Sequence, residues 1–352
     1  MRRIPLILAL ASLSIAAGAS AAPPDPSAPA ETAKPSAADQ ARLTAIRQYQ
    51  HDLVSVVALR ADPAYLLGAA LLARPFTDQP QGLDFDSLSA RALAAPDAGP
   101  AIEWVRLSDC GKDDCPNAKA FAALQKKAAG NAAVWLVALD LAAAKHDADA
   151  ERAALKQAAG APMYDDYYGA ALQGVADAVS VLPPLPDTIH GAHDGQPDNP
   201  DGVRVLVAVE NTGAHPRPNL EPLLQVCGKH AADKDAGIKA DCLKLAHTLE
   251  WGSSPIARAV GLHIKGELDA ADKPQTDEEN RNLAWQMQNY SMLLQHSLTE
   301  EALAKSWLDM ARNGGTELSL VLATLRANGI STDAPASFTG TASPAAATSS
   351  AH

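Results

Sequence analysis

Apolar residues recur along most of this chain at the spacing of one helix face. Leu43, Ile46, Leu53, Val54 and Val57 open the pattern, and recurrence at three and four residues marks an amphipathic helix. Asp62-Pro63 predicts the next start, with Asp as N-cap and Pro at the first helical position. Leu66, Leu67, Leu71 and Leu72 follow it. A shorter helix is predicted from Ser87 to Ala94, and another from Pro100 through Ile102, Trp104, Val105 and Leu107. The clearest hairpin lies between Asn131 and Ala161. Asn131 caps its first helix, Lys145-His146-Asp147 turns, and Ala148 to Ala159 returns. A further helix is predicted from Asp165 or Asp166 to about Val181.

Leu182-Pro183-Pro184-Leu185-Pro186 interrupts the pattern, because proline blocks the helical turn behind it. Gly, Asp and Pro continue to Gly202, so 182–202 is read as a linker between helical regions 41–181 and 203–330. Val203 to Val209 is β-branched enough for a strand, but a single strand has nothing to pair with, and the run is read as helix. Helices are then predicted over Pro218–Gly228, over Ile238–Glu250 and from Ser254-Pro255. Thr276…Glu279 and Ser297…Glu300 match the capping box, in which two side chains satisfy exposed amides reciprocally. Thr316 caps the last helix, which ends near Gly329.

Composition agrees: alanine and leucine dominate and only 4% of residues are aromatic. The first residues add an expectation about location. Arg2 and Arg3 precede an apolar run from Ile4 to about Ala17, followed by small residues to Ala22. That is the layout of a secretory signal peptide, read as 1–21 with cleavage after Ala21. Residues 22–40 read as a disordered leader and 331–352 as a disordered tail, both rich in Pro, Ala, Ser or Thr. No later segment is long and apolar enough to suggest membrane insertion. A formal charge of -12 argues against nucleic acid and anionic membrane surfaces as partners. Periplasmic or secreted placement is expected.

Cysteines fit that placement. Cys110, Cys115, Cys227 and Cys242 make an even set, and an even set in an exported chain suggests disulfides. Three pairings are open, and proximity favours Cys110 with Cys115 and Cys227 with Cys242. Neither gap is that of a zinc-thiolate pair.

Candidate chemistry is sparse. His190, His193 and Asp194, with Asp198 and Asp201 nearby, have metal-ligand side chains, but the intervening Gly, Pro and Asn read equally as turns. No cofactor is expected. Tyr164, Tyr167 and Tyr168 surround Asp165 and Asp166 at a helix start, and their apolar bodies with polar tips make them a candidate binding rim. His51-Asp52 and Ser253-Ser254 carry triad residue types without a nucleophile elbow, and Ser254 is better explained as a cap.

Asn131 to Leu155 resembles a tetratricopeptide or Sel1-like helical hairpin, with Trp135 in the first helix, small residues at the crossing and a short polar turn. Glu151 stands where that pattern has a small residue. The chain as a whole is similar to exported proteobacterial proteins carrying degenerate repeats of this kind. The expected fold is therefore all-α: an α-solenoid-like array of antiparallel helical hairpins, in one piece or two halves. The resemblance implies a non-catalytic scaffold that binds protein or peptide, and it supplies no catalytic residue. An enzyme with a site assembled from distant residues is the alternative reading. A structural or envelope-stress factor is the third.

Overall fold

Many helix starts are set by local side-chain caps. The Asp62 carboxylate accepts from the amides of Ala64 and Tyr65 at 2.8 and 3.3 Å, and proline follows it where no amide is needed. Ser254 and Asn199 repeat the device before Pro255 and Pro200. Asn131 caps its helix through Ala133, and Thr316 forms a capping box with Ser319.

The computed structural model describes residues 36–110, 115–188 and 199–340. Sixteen α-helices follow one another among the described residues. The first eight are α1 (Ala37–Val57), α2 (Pro63–Ala73), α3 (Phe85–Ala94), α4 (Pro100–Val105), α5 (Ala118–Lys127), α6 (Ala132–Ala144), α7 (Ala148–Gly160) and α8 (Tyr168–Val179). The next four are α9 (Pro200–Gly213), α10 (Glu221–Val226), α11 (Lys229–Ala232) and α12 (Ala236–Glu250). The last four are α13 (Pro255–Leu268), α14 (Lys273–His296), α15 (Glu301–Arg312) and α16 (Glu317–Ala327). Short 3-10 turns span Arg106–Ser108 and Pro186–Thr188. The only β pairing among the described residues is a bridge between Asn131 and Met163. The all-α class is thus what forms.

Consecutive helices do pair as hairpins: α6 with α7, α12 with α13, α2 with α3. Distant helices pair as well. α2 packs on α8, α7 on α12, and α9 on α15. In a linear solenoid each unit touches only its neighbours; here long-range helix pairs are added to the hairpins. The reason lies in α2. Every residue from Leu66 to Ala73 is buried, and a helix apolar all round must be enclosed rather than stacked at an edge. Gly68 and Gly174 let α2 and α8 touch backbone to backbone. A methyl at Gly174 would sit 2.7 Å from the Ala64 carbonyl oxygen, and one at Gly68 would collide with the Gly174 carbonyl.

Two large apolar clusters result. The first gathers α1, α2, α3, α8, α9 and α15 around Leu53, Leu72, Val175 and Trp307. The second gathers α5, α6, α7, α10, α12 and α13 around Trp104, Leu136, Leu155 and Leu249. Fully burying such a side chain contributes about 1.5–3 kcal/mol. Each cluster draws helices from both sides of the proline-rich break, so that break does not divide the core. Part of it is helix already, since α9 begins at Pro200. Residues 203–209 lie within α9, held on α8 and α15.

Other boundaries move for identifiable reasons. α1 starts at Ala37, inside the expected leader. Thr276 lies within α14 and its hydroxyl donates back to the Lys273 carbonyl, while Ser297 ends α14 and donates to Leu294. Both motifs match the capping box in letters and serve other turns. The helix expected from Pro218 begins at Glu221, and α5 has only two large apolar residues, Phe121 and Leu124, to announce it. Residues 331–340, expected to be disordered, lie along α14. Trp285 and Gln286 donate to the carbonyls of Ser331 and Thr332 at 2.9 and 2.8 Å, and Phe338 packs edge-on to Trp285. Residues 1–35 and 341–352, with the expected signal peptide, lie outside the described residues.

Candidate functional site

The two clusters meet at the Tyr-Asp segment, where Tyr167 packs against both. Asn131 fixes this segment from below. Its amide oxygen accepts from the Asp165 amide at 2.9 Å, and its amide nitrogen donates to the Asp165 carbonyl at 2.6 Å. The Asp165 carboxylate accepts from the Tyr167 amide at 2.8 Å, which holds Tyr167 at φ 57 in the left-handed region just before α8. A bulky residue there is strained and must be held by its surroundings. Tyr164 is buried, while Tyr167 and Tyr168 are half-buried.

Asp166 is 1% exposed and organises a buried polar seam. Its carboxylate accepts from the Ser253 hydroxyl at 3.2 Å and from the Tyr168 amide at 3.3 Å. Its carbonyl accepts from His215 Nε2 at 2.5 Å. A carbonyl only accepts, so Nε2 carries the proton and Nδ1 keeps a lone pair, for which there is no partner among the described residues. Burial pushes the His215 pKa down to about 3, with Arg217 and Arg74 adding to the effect against the Asp166 hydrogen bond. The ring is neutral across the physiological range.

Arg217 balances the seam. Its guanidinium donates to Glu317 at 3.0 Å and lies 4.9 Å over the Tyr168 ring. Burial works against its charge, but Glu317, Asp166 and Tyr168 outweigh burial and hold its pKa above the ordinary value. Burial raises both carboxylic acids, with Arg217 opposing, and it pushes the Tyr168 hydroxyl up to about 12. Ser, His and Asp therefore assemble here, but not as a relay. Both Ser253 and His215 bond to Asp166, one at the carboxylate and one at the main chain. A base as weak as this His215 is poorly matched to proton abstraction near neutrality.

An open cleft of about 530 Å³ lies over this seam. Its walls come from the end of α4 and the following turn, from Cys115-Pro116, from α6, and from residues 213–219. The last wall is shaped by its sequence. Pro216 and Pro218 fix φ on either side of Arg217 and bias the residues before them to extended backbone, and the Trp104 indole donates to the Pro216 carbonyl at 2.8 Å. Leu107, Val137 and the prolines make most of the lining apolar. Asp140 is its acidic group. The Asn219 side chain donates to it at 2.8 Å, and burial raises its pKa against that hydrogen bond. No cation among the described residues pairs with it.

No protein-family model, curated protein or solved structure matches this chain.

The remaining sequence candidates fall elsewhere. His190, His193 and Asp194 lie outside the described residues. Among the described residues no three His, Cys, Asp or Glu side chains converge as metal ligands, and no helix is long and apolar enough to cross a membrane. His51 stacks on Phe76 at 4.1 Å, and Ser254 caps α13. Cys110 bonds to Cys115, which places one disulfide at the cleft wall. Cys227 bonds to Cys242 and ties the end of α10 to α12 inside the second cluster. Two disulfides fit an extracytoplasmic protein. Sequence reading passed over Asp140, His215, Arg217 and Glu317. Two traces of them were present: the sole charged residue of α6, and an arginine set between two prolines.

Proposed function

We propose that this protein is a non-catalytic binding scaffold, periplasmic or secreted, whose cleft holds a short segment of a protein or peptide partner. The observation that carries this is the construction of the cleft. Its volume falls in the range of ligand sites, roughly 300–1,000 Å³. Its walls are held by prolines, a disulfide and the Trp104 hydrogen bond. Walls fixed in advance lose little conformational freedom when a ligand arrives. Ser253 and His215 beneath it both bond to Asp166, and Arg217 bonds to Glu317, rather than forming a nucleophile–base relay, which favours binding over turnover.

A photo-crosslinking residue in place of Val137 tests this in cells, with a matched one replacing exposed Leu43 on α1 as control. The expected result is a recurrent peptide segment joined at position 137 and absent at 43, and a synthetic copy of that segment binding the purified protein. Adducts at both positions alike, or none at 137, would overturn the reading.

A further inference from the structure

The cleft also carries a statement about charge. Its two ionic residues are treated differently by the fold. Arg217 has Glu317 at 3.0 Å, the Tyr168 ring beneath it and Asp166 close enough to act on its charge. It therefore offers a ligand little net positive charge. Asp140 has one neutral amide donor, Asn219, and no cationic partner among the described residues. A carboxylate has about four acceptor positions and seeks charge-assisted donors when water is partly excluded. The same cleft is lined by Val137, Leu107, Pro116 and Pro218, which match methylene groups rather than charge. The whole chain adds a long-range field of the same sign, with a formal charge of -12, which concentrates cations near the surface.

We infer that the cleft receives a basic side chain, arginine or lysine, from the partner segment, with its methylenes along the apolar wall and its cationic head on Asp140. This rests on the scaffold reading above and specifies the chemistry of its ligand. Other features of the cleft agree. The stem of an arginine or lysine is apolar and the head is not, so the side chain needs an apolar channel ending at an acceptor. An acidic peptide would meet Asp140 without relief from Arg217, whose charge is already matched. Asn219 would keep its bond to one carboxylate oxygen, leaving the other for the incoming donor.

The test uses the full protein and short capped peptides that differ at one central residue: arginine, its neutral isostere citrulline, or glutamate. Binding is read by fluorescence anisotropy, and contact by a photo-crosslinker in place of Val137. The arginine peptide is expected to bind about tenfold tighter than the citrulline peptide, the scale of one charge-assisted hydrogen bond. The glutamate peptide should bind more weakly still. Asp140→Asn should bring arginine and citrulline within about twofold, and added salt should narrow the gap in the unsubstituted protein. Equal binding of arginine and citrulline peptides, with both crosslinking at 137, would overturn the charge inference and leave the scaffold reading standing. A preference for arginine that survived Asp140→Asn would overturn it too. Absence of any crosslink at 137 would remove both. A free alkylguanidine that bound as tightly as the peptide would overturn the peptide as occupant.

Discussion

Arg217 and Asp140 face the same cleft and have opposite fates. Arg217 donates to the Glu317 carboxylate and lies over the Tyr168 ring, and Glu317, Asp166 and Tyr168 outweigh the burial of its charge. Asp140 is half-buried and has a single amide for company. A charge removed from water needs partners or it weakens the fold. Where the fold supplies them in full, as for Arg217, the group is structural. Where it supplies one of several, as for Asp140, the fold bears a small cost that only a ligand would recover. The seam below and the cleft above should therefore respond differently to substitution, stability moving in one and binding in the other.

The largest effect is expected at the best-partnered charge. Arg217→Ala leaves buried Asp166 and half-buried Glu317 without their cation, and losing a hydrogen bond between charged groups typically costs about 1.5–3 kcal/mol. Urea denaturation at neutral pH reads it. The double substitution Arg217→Met with Glu317→Leu removes both members of the direct pair and should cost less than the single one. A loss under about 1 kcal/mol for Arg217→Ala would erase the distinction between the two charges.

His215 sharpens the comparison through pH. Its folded pKa is depressed, from 6.5 to about 3. Between these values the unfolded chain binds the proton that the folded chain refuses. The stability due to the neutral ring is thus complete above pH 6.5 and is lost as pH falls toward 3. Asp166 and Glu317 work in the opposite sense, because their folded pKa values are raised. Comparison with His215→Gln, whose side-chain amide can still donate to the Asp166 carbonyl, cancels their contribution. The stability of the unsubstituted protein relative to this variant should fall by about 2 kcal/mol between pH 7 and pH 5. A flat difference would mean that the ring is not held neutral.

How much of this was legible in the sequence follows the same division. Features set within one turn of chain were readable: the caps at Asp62, Asn131, Ser254 and Thr316, and the hairpin of α6 and α7. The proximate cysteine pairs also form. Features set by packing were not. Thr276 and Ser297 carry capping-box letters, yet α14 begins before the first and ends at the second, and their hydroxyls donate to the Lys273 and Leu294 carbonyls instead of capping a new helix. Nothing local tells residues 331–340 that Trp285 and Gln286 will hold their carbonyls. The seam is the extreme case, since Asp166 meets Ser253 and Arg217 meets Glu317 across 87 and 100 residues. The Tyr-Asp segment stands out by composition, but that Tyr164 is buried and Tyr167 packs against both apolar clusters depends on helices distant in sequence.

The smallest effect on stability is expected at Asp140, and its smallness is the point. Asp140→Asn keeps an oxygen for the Asn219 amide. It removes a carboxylate whose pKa burial raises. A raised folded pKa means that the ionised group costs stability above the ordinary carboxylate range and costs nothing once both states are protonated. The variant should therefore match the unsubstituted protein within about 0.5 kcal/mol near neutrality, as surface substitutions do, with any gain appearing at pH 7 and vanishing at pH 3. Denaturation at those two pH values measures it. A loss above about 1 kcal/mol at pH 7 would show that Asp140 is as structural as Arg217. An unchanged stability beside lost arginine selectivity would separate the two charges by role, because the same substitution cannot damage recognition through misfolding if the fold has not moved.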